Sequence, residues 1–209
     1  MNLLDLVFFP EQLYSGFNNK KLTLFIGVLI VGISDTFVSV WQRLILSPVK
    51  NPLQLIMGHM GMLLALSAVI GIIDVLIFSY PVYEGLRIFK NRQAHDEDSS
   101  EKSVASLVKV MKVYILANIL CIPFNAMILF LIGVFGSRSN NTDYALILEL
   151  IQFIIQIIFL GIITRGLSVL YKFKGISIMI LLFIVYLYAD LMSQAINSGL
   201  DKLISNLLK

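Results

Sequence analysis

The sequence predicts an all-α fold, a polytopic integral membrane bundle of five transmembrane helices led by an interfacial amphipathic segment. Three observations predict it. Of the 209 residues, 58% are hydrophobic and only 14% are charged, with a mean hydropathy of +0.87. A soluble domain carries about 45–50% apolar and about 25% charged residues. Apolar runs long enough to cross about 30 Å of hydrocarbon recur along the chain. Of the 16 Lys and Arg residues, all but Arg165 lie outside those runs. This composition excludes a soluble enzyme, a nucleic-acid-binding domain and a disordered tail. The length is that of one membrane domain, residues 1–209.

The elements follow in order. Residues 1–19 are too short to span. Leu3, Leu4, Val7, Phe8, Leu13, Tyr14 and Phe17 make them apolar on one side. They read as an interfacial segment, with Pro10 opening a helix at a tolerated first position. The N-terminus carries Asp5 and Glu11 in place of a basic region, so no cleaved leader is expected. The first span, 22–40, has Lys20 and Lys21 before it and Trp41 and Arg43 after it, an anchoring pattern for the two interfaces. The second, 53–80, lies between Pro52 and Pro81 and is long enough to tilt. Gly58, Gly61, Ala65, Ala68 and Gly71 give it a small-residue face suited to close helix packing.

Residues 82–112 form the one extended hydrophilic loop. Its centre mixes Asp96, Glu97, Asp98, Glu101 and Lys102 with two serines. From Ser103 an amphipathic lead-in puts Val104, Leu107, Val108 and Met111 on one face, with Lys109 and Lys112 to the side. The third span, 113–135, contains Pro123, where a kink is expected. The fourth is 144–170 and the fifth 176–192, followed by a tail at 193–209.

Charge placement predicts orientation. The N-terminal segment, the long loop and the 165–174 connection hold eleven of the 16 Lys and Arg, and the other side holds five. The positive-inside rule then puts the N-terminus and the long loop in the cytoplasm and the C-terminus outside. The expected location is the cell membrane.

Polar residues inside spans are costly and mark function or interhelical bonding. Asp35, His59, Asn125, Glu149, Gln152, Gln156, Asp190 and Gln194 fall mostly in the outer half. Glu149, Gln152 and Gln156 share one helix face by their spacing. Together these eight outline a candidate polar cavity open to the outside. Asp74 and Arg165 lie toward the cytoplasmic end of different spans and form a candidate ion pair.

Catalytic chemistry has no candidates. The two histidines, His59 and His95, fall on opposite sides of the membrane, and Cys121 is the only cysteine. There is no zinc-protease helix motif, nucleophile elbow or phosphate loop. No catalytic residue, metal or cofactor is expected, and no nucleic-acid partner.

Several stretches resemble a known family. Phe9-Pro10 and Phe17 stand ahead of the first span, and Ser103 to Val110 precedes a proline-bearing span. Residues 160–175 read LGIITRGLSVLYKFKG. In these the chain resembles the Yip family of Ypt/Rab-interacting membrane proteins, and more closely its bacterial members. The resemblance implies five spans with a cytosolic N-terminus. It also implies a non-enzymatic role in binding or organising other membrane proteins, such as the subunits of an ABC-type exporter. The long loop would be the docking surface. The rival expectation is a small transporter or channel using the outer polar cavity.

Overall fold

The computed structural model of the chain describes residues 14, 16, 21–46, 58, 60–96, 106–135, 142–171, 178–188 and 191. Among these the architecture is all-helical. Four helices are long and apolar enough to cross a membrane: α1 (Lys21–Leu46), α2 (Met60–Asp96), α3 (Leu107–Phe135) and α4 (Thr142–Tyr171). A shorter apolar helix, α5, covers Ile178–Tyr188. The expected tail at 193–209, most of the 1–19 segment, and His59, Asp190 and Gln194 lie outside the described residues.

Helix boundaries differ from the apolar runs in three places. Helix α1 continues past residue 40 to Leu46. Helix α2 continues through Pro81 to Asp96, where the sequence suggested a stop. A proline inside a helix removes one hydrogen bond, here that to the carbonyl of Ile77, and leaves φ helical. Beyond it Val82 and Leu86 are both completely buried, and their packing holds the helix together across the lost bond. Helix α3 starts at Leu107, so the amphipathic lead-in is its first turn. The Ser106 carbonyl accepts the amides of Lys109 and Val110 and opens that turn. Lys112, expected at the side, is 8% exposed. Pro123 also lies within continuous helix.

The core runs along one face of each helix. From α2 it takes Val75, Phe78, Val82 and Leu86, at the three-and-four spacing of a helical stripe. From α3 come Val110, Val113, Tyr114 and Ala117, from α4 Ile155, Ile162 and Leu167, and from α5 Ile178, Leu182 and Val185. Helix α1 gives Val31 and turns Leu22, Phe25, Ile26, Ile33 and Phe37 outward. An outward apolar stripe is what a lipid-facing helix presents.

Packing is uneven along the bundle. It is tight where α3 begins and where α2 and α4 finish. At the opposite end Gly58, ahead of α2, and Met60, Gly61, Met62, Leu64 and Ala65 of α2 are exposed. So are residues 123–127 of α3, five in succession. Five residues exceed one helical turn, so α3 has open surroundings on every side at that level.

Candidate functional site

The polar groups of the packed half converge where α1 and α2 cross. Gly32 and Gly71 face each other there. A Cβ on Gly32 would overlap the Ser67 carbonyl oxygen, and one on Gly71 would overlap the Val28 carbonyl oxygen. Only glycine allows the two backbones this close. Ile115 of α3 packs against Gly27, and Tyr114 bonds to Asp74. Gly27 and Asp74 therefore share a level, so α1 runs backward as α2 runs forward, and the two are antiparallel.

Each crossing glycine is followed three residues later by an aspartate, in Gly32-Ile33-Ser34-Asp35 and in Gly71-Ile72-Ile73-Asp74. In an antiparallel pair this repeat has a local two-fold character and sets the two carboxyls on either side of the crossing. Asp35 and Asp74 lie within electrostatic reach of each other. The Tyr114 hydroxyl of α3 donates to Asp74 Oδ2 at 2.6 Å. Tyr114 is itself fixed by aromatic packing. It stacks on Phe78 of α2 with centroids 4.4 Å apart and meets the edge of Phe159 of α4 at 5.8 Å. The Asn118 side-chain amide donates to the Tyr114 carbonyl, 3.1 Å away.

The remaining hydroxyls of this region bond locally. Thr36 donates to the Gly32 carbonyl at 2.7 Å, and Ser67 to that of Leu63 at 2.8 Å. Thr164 and Ser168 do the same one turn back along α4. Such i to i−4 bonds satisfy hydroxyls in a medium that offers no water. The Ser79 hydroxyl is the one buried side-chain oxygen among the described residues without a partner.

Two carboxyls, a phenol and a carboxamide from three helices, gathered inside an apolar bundle, are suited to holding a proton or a small cation. Among the described residues no group of three or more His, Cys, Asp and Glu has metal-binding geometry.

The other expected site residues are placed as follows. Asn125, Glu149 and Gln152 are exposed on α3 and α4, and Gln156 is half-buried. The three exposed ones sit on the outside of the bundle. Asp74 takes its bond from Tyr114, and Arg165, half-buried, has its charge close to Tyr14. Of the small-residue face, Gly58, Gly61 and Ala65 are exposed, Ala68 is half-buried, and Gly71 is buried in the crossing. A Cβ on Gly58 or Gly61 would meet nothing within 4 Å.

Tyr114, Phe78, Phe159 and Asn118 are functional candidates that sequence reasoning missed. The repeated Gly-Ile-x-Asp in the first two spans is the signal that pairs Asp35 with Asp74. The four-residue step from Tyr114 to Asn118 places both on one face of the third.

No protein-family model matches the chain, and no curated protein or solved structure shows significant similarity to it.

Proposed function

We propose that this chain is a five-span protein of the cell membrane, similar to the bacterial Yip type, that binds and organises other membrane proteins without itself being an enzyme. An ABC-type exporter is the kind of complex it would serve. In this reading α1 to α4 are four of the spans and the 176–192 segment the fifth. The N-terminus and the 82–112 region face the cytoplasm, with the C-terminus outside.

One observation carries the reading. Asn125, Glu149 and Gln152 are exposed on the outside of apolar helices, in the half where the bundle leaves its helices uncovered. Lipid tails cannot hydrogen-bond to them, and a neighbouring protein helix can. Purification of the full chain in mild detergent, with identification of the proteins retained, tests it. Wild type is expected to retain membrane partners that Glu149→Leu with Gln152→Leu loses. Recovery of the wild type alone, as a defined homo-oligomer, would overturn the accessory role.

A second reading, a small transporter, is favoured by Asp35, Asp74 and Tyr114, since carboxyls held between membrane helices are how ion- and proton-coupled carriers hold their driving ion. Uptake into proteoliposomes that is lost in Asp35→Asn and Asp74→Asn would support it.

A further inference from the structure

The exposed surface of α4 carries a carboxyl, and its surroundings define what can meet it. Glu149 stands with Leu146, Leu150 and Phe153 at the i, i+3, i+4, i+7 spacing of a helix-packing seam. All four are exposed, and so is Gln152, one turn on from Glu149. The register of the bundle brings Asn125 of α3 to the same level. Tyr171 meets Ser106 and Gly166 packs on Val113, so α3 and α4 are antiparallel. Twelve residues on from Val113 stands Asn125, and twelve back from Gly166 stands Ile154, about half a turn from Gln152. Among the described residues, Glu149, Gln152 and Asn125 make no side-chain hydrogen bond or ion pair. The one cation of α4, Arg165, is 16 residues from Glu149, about 24 Å along the axis.

We propose that this seam of α4 binds one transmembrane helix of a different protein, and that the helix carries a lysine or arginine at the level of Glu149, with Gln152 and Asn125 as flanking amides. The proposal rests on the reading that the chain organises other membrane proteins, and it names the chemistry of the helix that makes the contact. Charge complementarity carries it. A carboxylate on an apolar helix is costly in lipid, and a cation on the facing helix offsets that cost more fully than a neutral donor does. The face does not complement itself. Two copies inserted in the same sense and joined through it by a two-fold axis would set Glu149 against Glu149 at one depth. Leu146, Leu150 and Phe153 supply contact area that any apolar helix can match, so the choice of partner falls to Glu149.

Synthetic transmembrane peptides test this on the full chain in phosphatidylcholine proteoliposomes. One polyleucine peptide carries a single lysine two turns from its dansyl-labelled end, a second carries a glutamate there, and a third is leucine throughout. Trp41, the sole tryptophan, is exposed toward the end of α1 and reports binding by energy transfer to the dansyl group. Wild type is expected to bind the lysine peptide at an about fivefold lower peptide-to-protein ratio than the leucine peptide, the factor of about one interhelical hydrogen bond in lipid. Glu149→Gln is expected to remove the preference, and Glu149→Lys to transfer it to the glutamate peptide. Equal binding of the lysine and leucine peptides by wild type, or an unchanged preference in Glu149→Lys, would overturn the proposal. So would energy transfer between differently labelled copies of the chain that Glu149→Gln abolishes, which would put a second copy on the seam. Wild type that retains membrane partners in mild detergent but shows no lysine preference overturns the cation alone. Wild type that prefers the lysine peptide but is recovered without partners bears out the cation and overturns the accessory role.

Discussion

At the scale of single residues, the bond from Tyr114 to Asp74 is the one whose loss has the clearest consequence. It joins α3 to α2 inside an apolar bundle, 2.6 Å long, with the phenol ring clamped between Phe78 and Phe159. Tyr114→Phe keeps the ring and removes the donor, leaving the half-buried Asp74 carboxyl without that bond. The expected cost is about 1–3 kcal/mol, measured as a shift in unfolding midpoint in micelles. In Asp74→Asn the Phe substitution is expected to cost less, and the difference between the two isolates the pair. Equal costs in the two backgrounds would mean that the pair contributes only packing. Tyr14 gives a second, pH-dependent expectation. Burial pushes its hydroxyl from the usual 10.0 up to about 12, with Arg165 pulling the other way. A group whose value rises on folding contributes stability that is complete below its unfolded value and lost as pH climbs through the folded one. Wild type is therefore expected to lose stability relative to Tyr14→Phe between about pH 10 and 12. A midpoint difference that stays flat across that window would contradict a buried, protonated phenol.

At the scale of elements, the α1–α2 crossing decides which glycines matter. A methyl group on Gly32 would overlap the Ser67 carbonyl, and one on Gly71 that of Val28. Overlap with backbone cannot be relieved by a rotamer change, so Gly32→Ala and Gly71→Ala are each expected to destabilise by about 1–3 kcal/mol or more. Gly58→Ala and Gly61→Ala meet open space and are expected to be neutral or slightly stabilising, since alanine is the better helix former. Unfolding midpoints of the four variants check the contrast, and equal effects would remove the crossing from the account. The same elements show what the sequence could and could not tell. The apolar runs at 22–40, 113–135 and 144–170 mark the cores of α1, α3 and α4, because a run of that length has no soluble alternative. Pro81 misled because a proline's local cost is small beside the burial of Val82 and Leu86, which hydropathy along the chain does not register. Asp35 and Asp74 stood out as costly, yet their relation depended on helix register. The Gly-Ile-x-Asp repeat encodes that register, and reading the two spans separately hides it. Tyr114 carried no signal of its own, because hydropathy along a span does not show which phenol is bonded. Its role comes from Phe78 and Phe159, contributed by helices far away in the chain.

At the scale of the whole molecule, polarity divides the bundle. The packed half encloses Asp35, Asp74 and Tyr114, while the open half displays Asn125, Glu149 and Gln152 on its outer surface. An α-helix in lipid satisfies its own backbone, so an uncovered apolar helix is stable, but an uncovered carboxamide or carboxylate has no partner there. In the proposed reading the open half is the half that another protein completes. Which side of the membrane it faces follows from the cations. α2 and α4 begin, and α3 ends, at the open half, and the turn between α3 and α4 contains Arg138 alone. The opposite end, where α2 finishes and α3 begins, holds six Lys and Arg from Arg87 to Lys112. A bias of this size sets orientation during insertion, so the open half is expected outside. Single cysteines in a Cys121→Ala background test it in intact cells with a membrane-impermeant thiol reagent. Asn140→Cys, in the α3–α4 turn, is expected to label at once. Ser99→Cys, in the connection after α2, is expected to label only after the cells are permeabilised. The reverse pattern would invert the molecule. It would place the six-cation end outside and the open half in the cytoplasmic leaflet, and the search for the proposed partners would move with it.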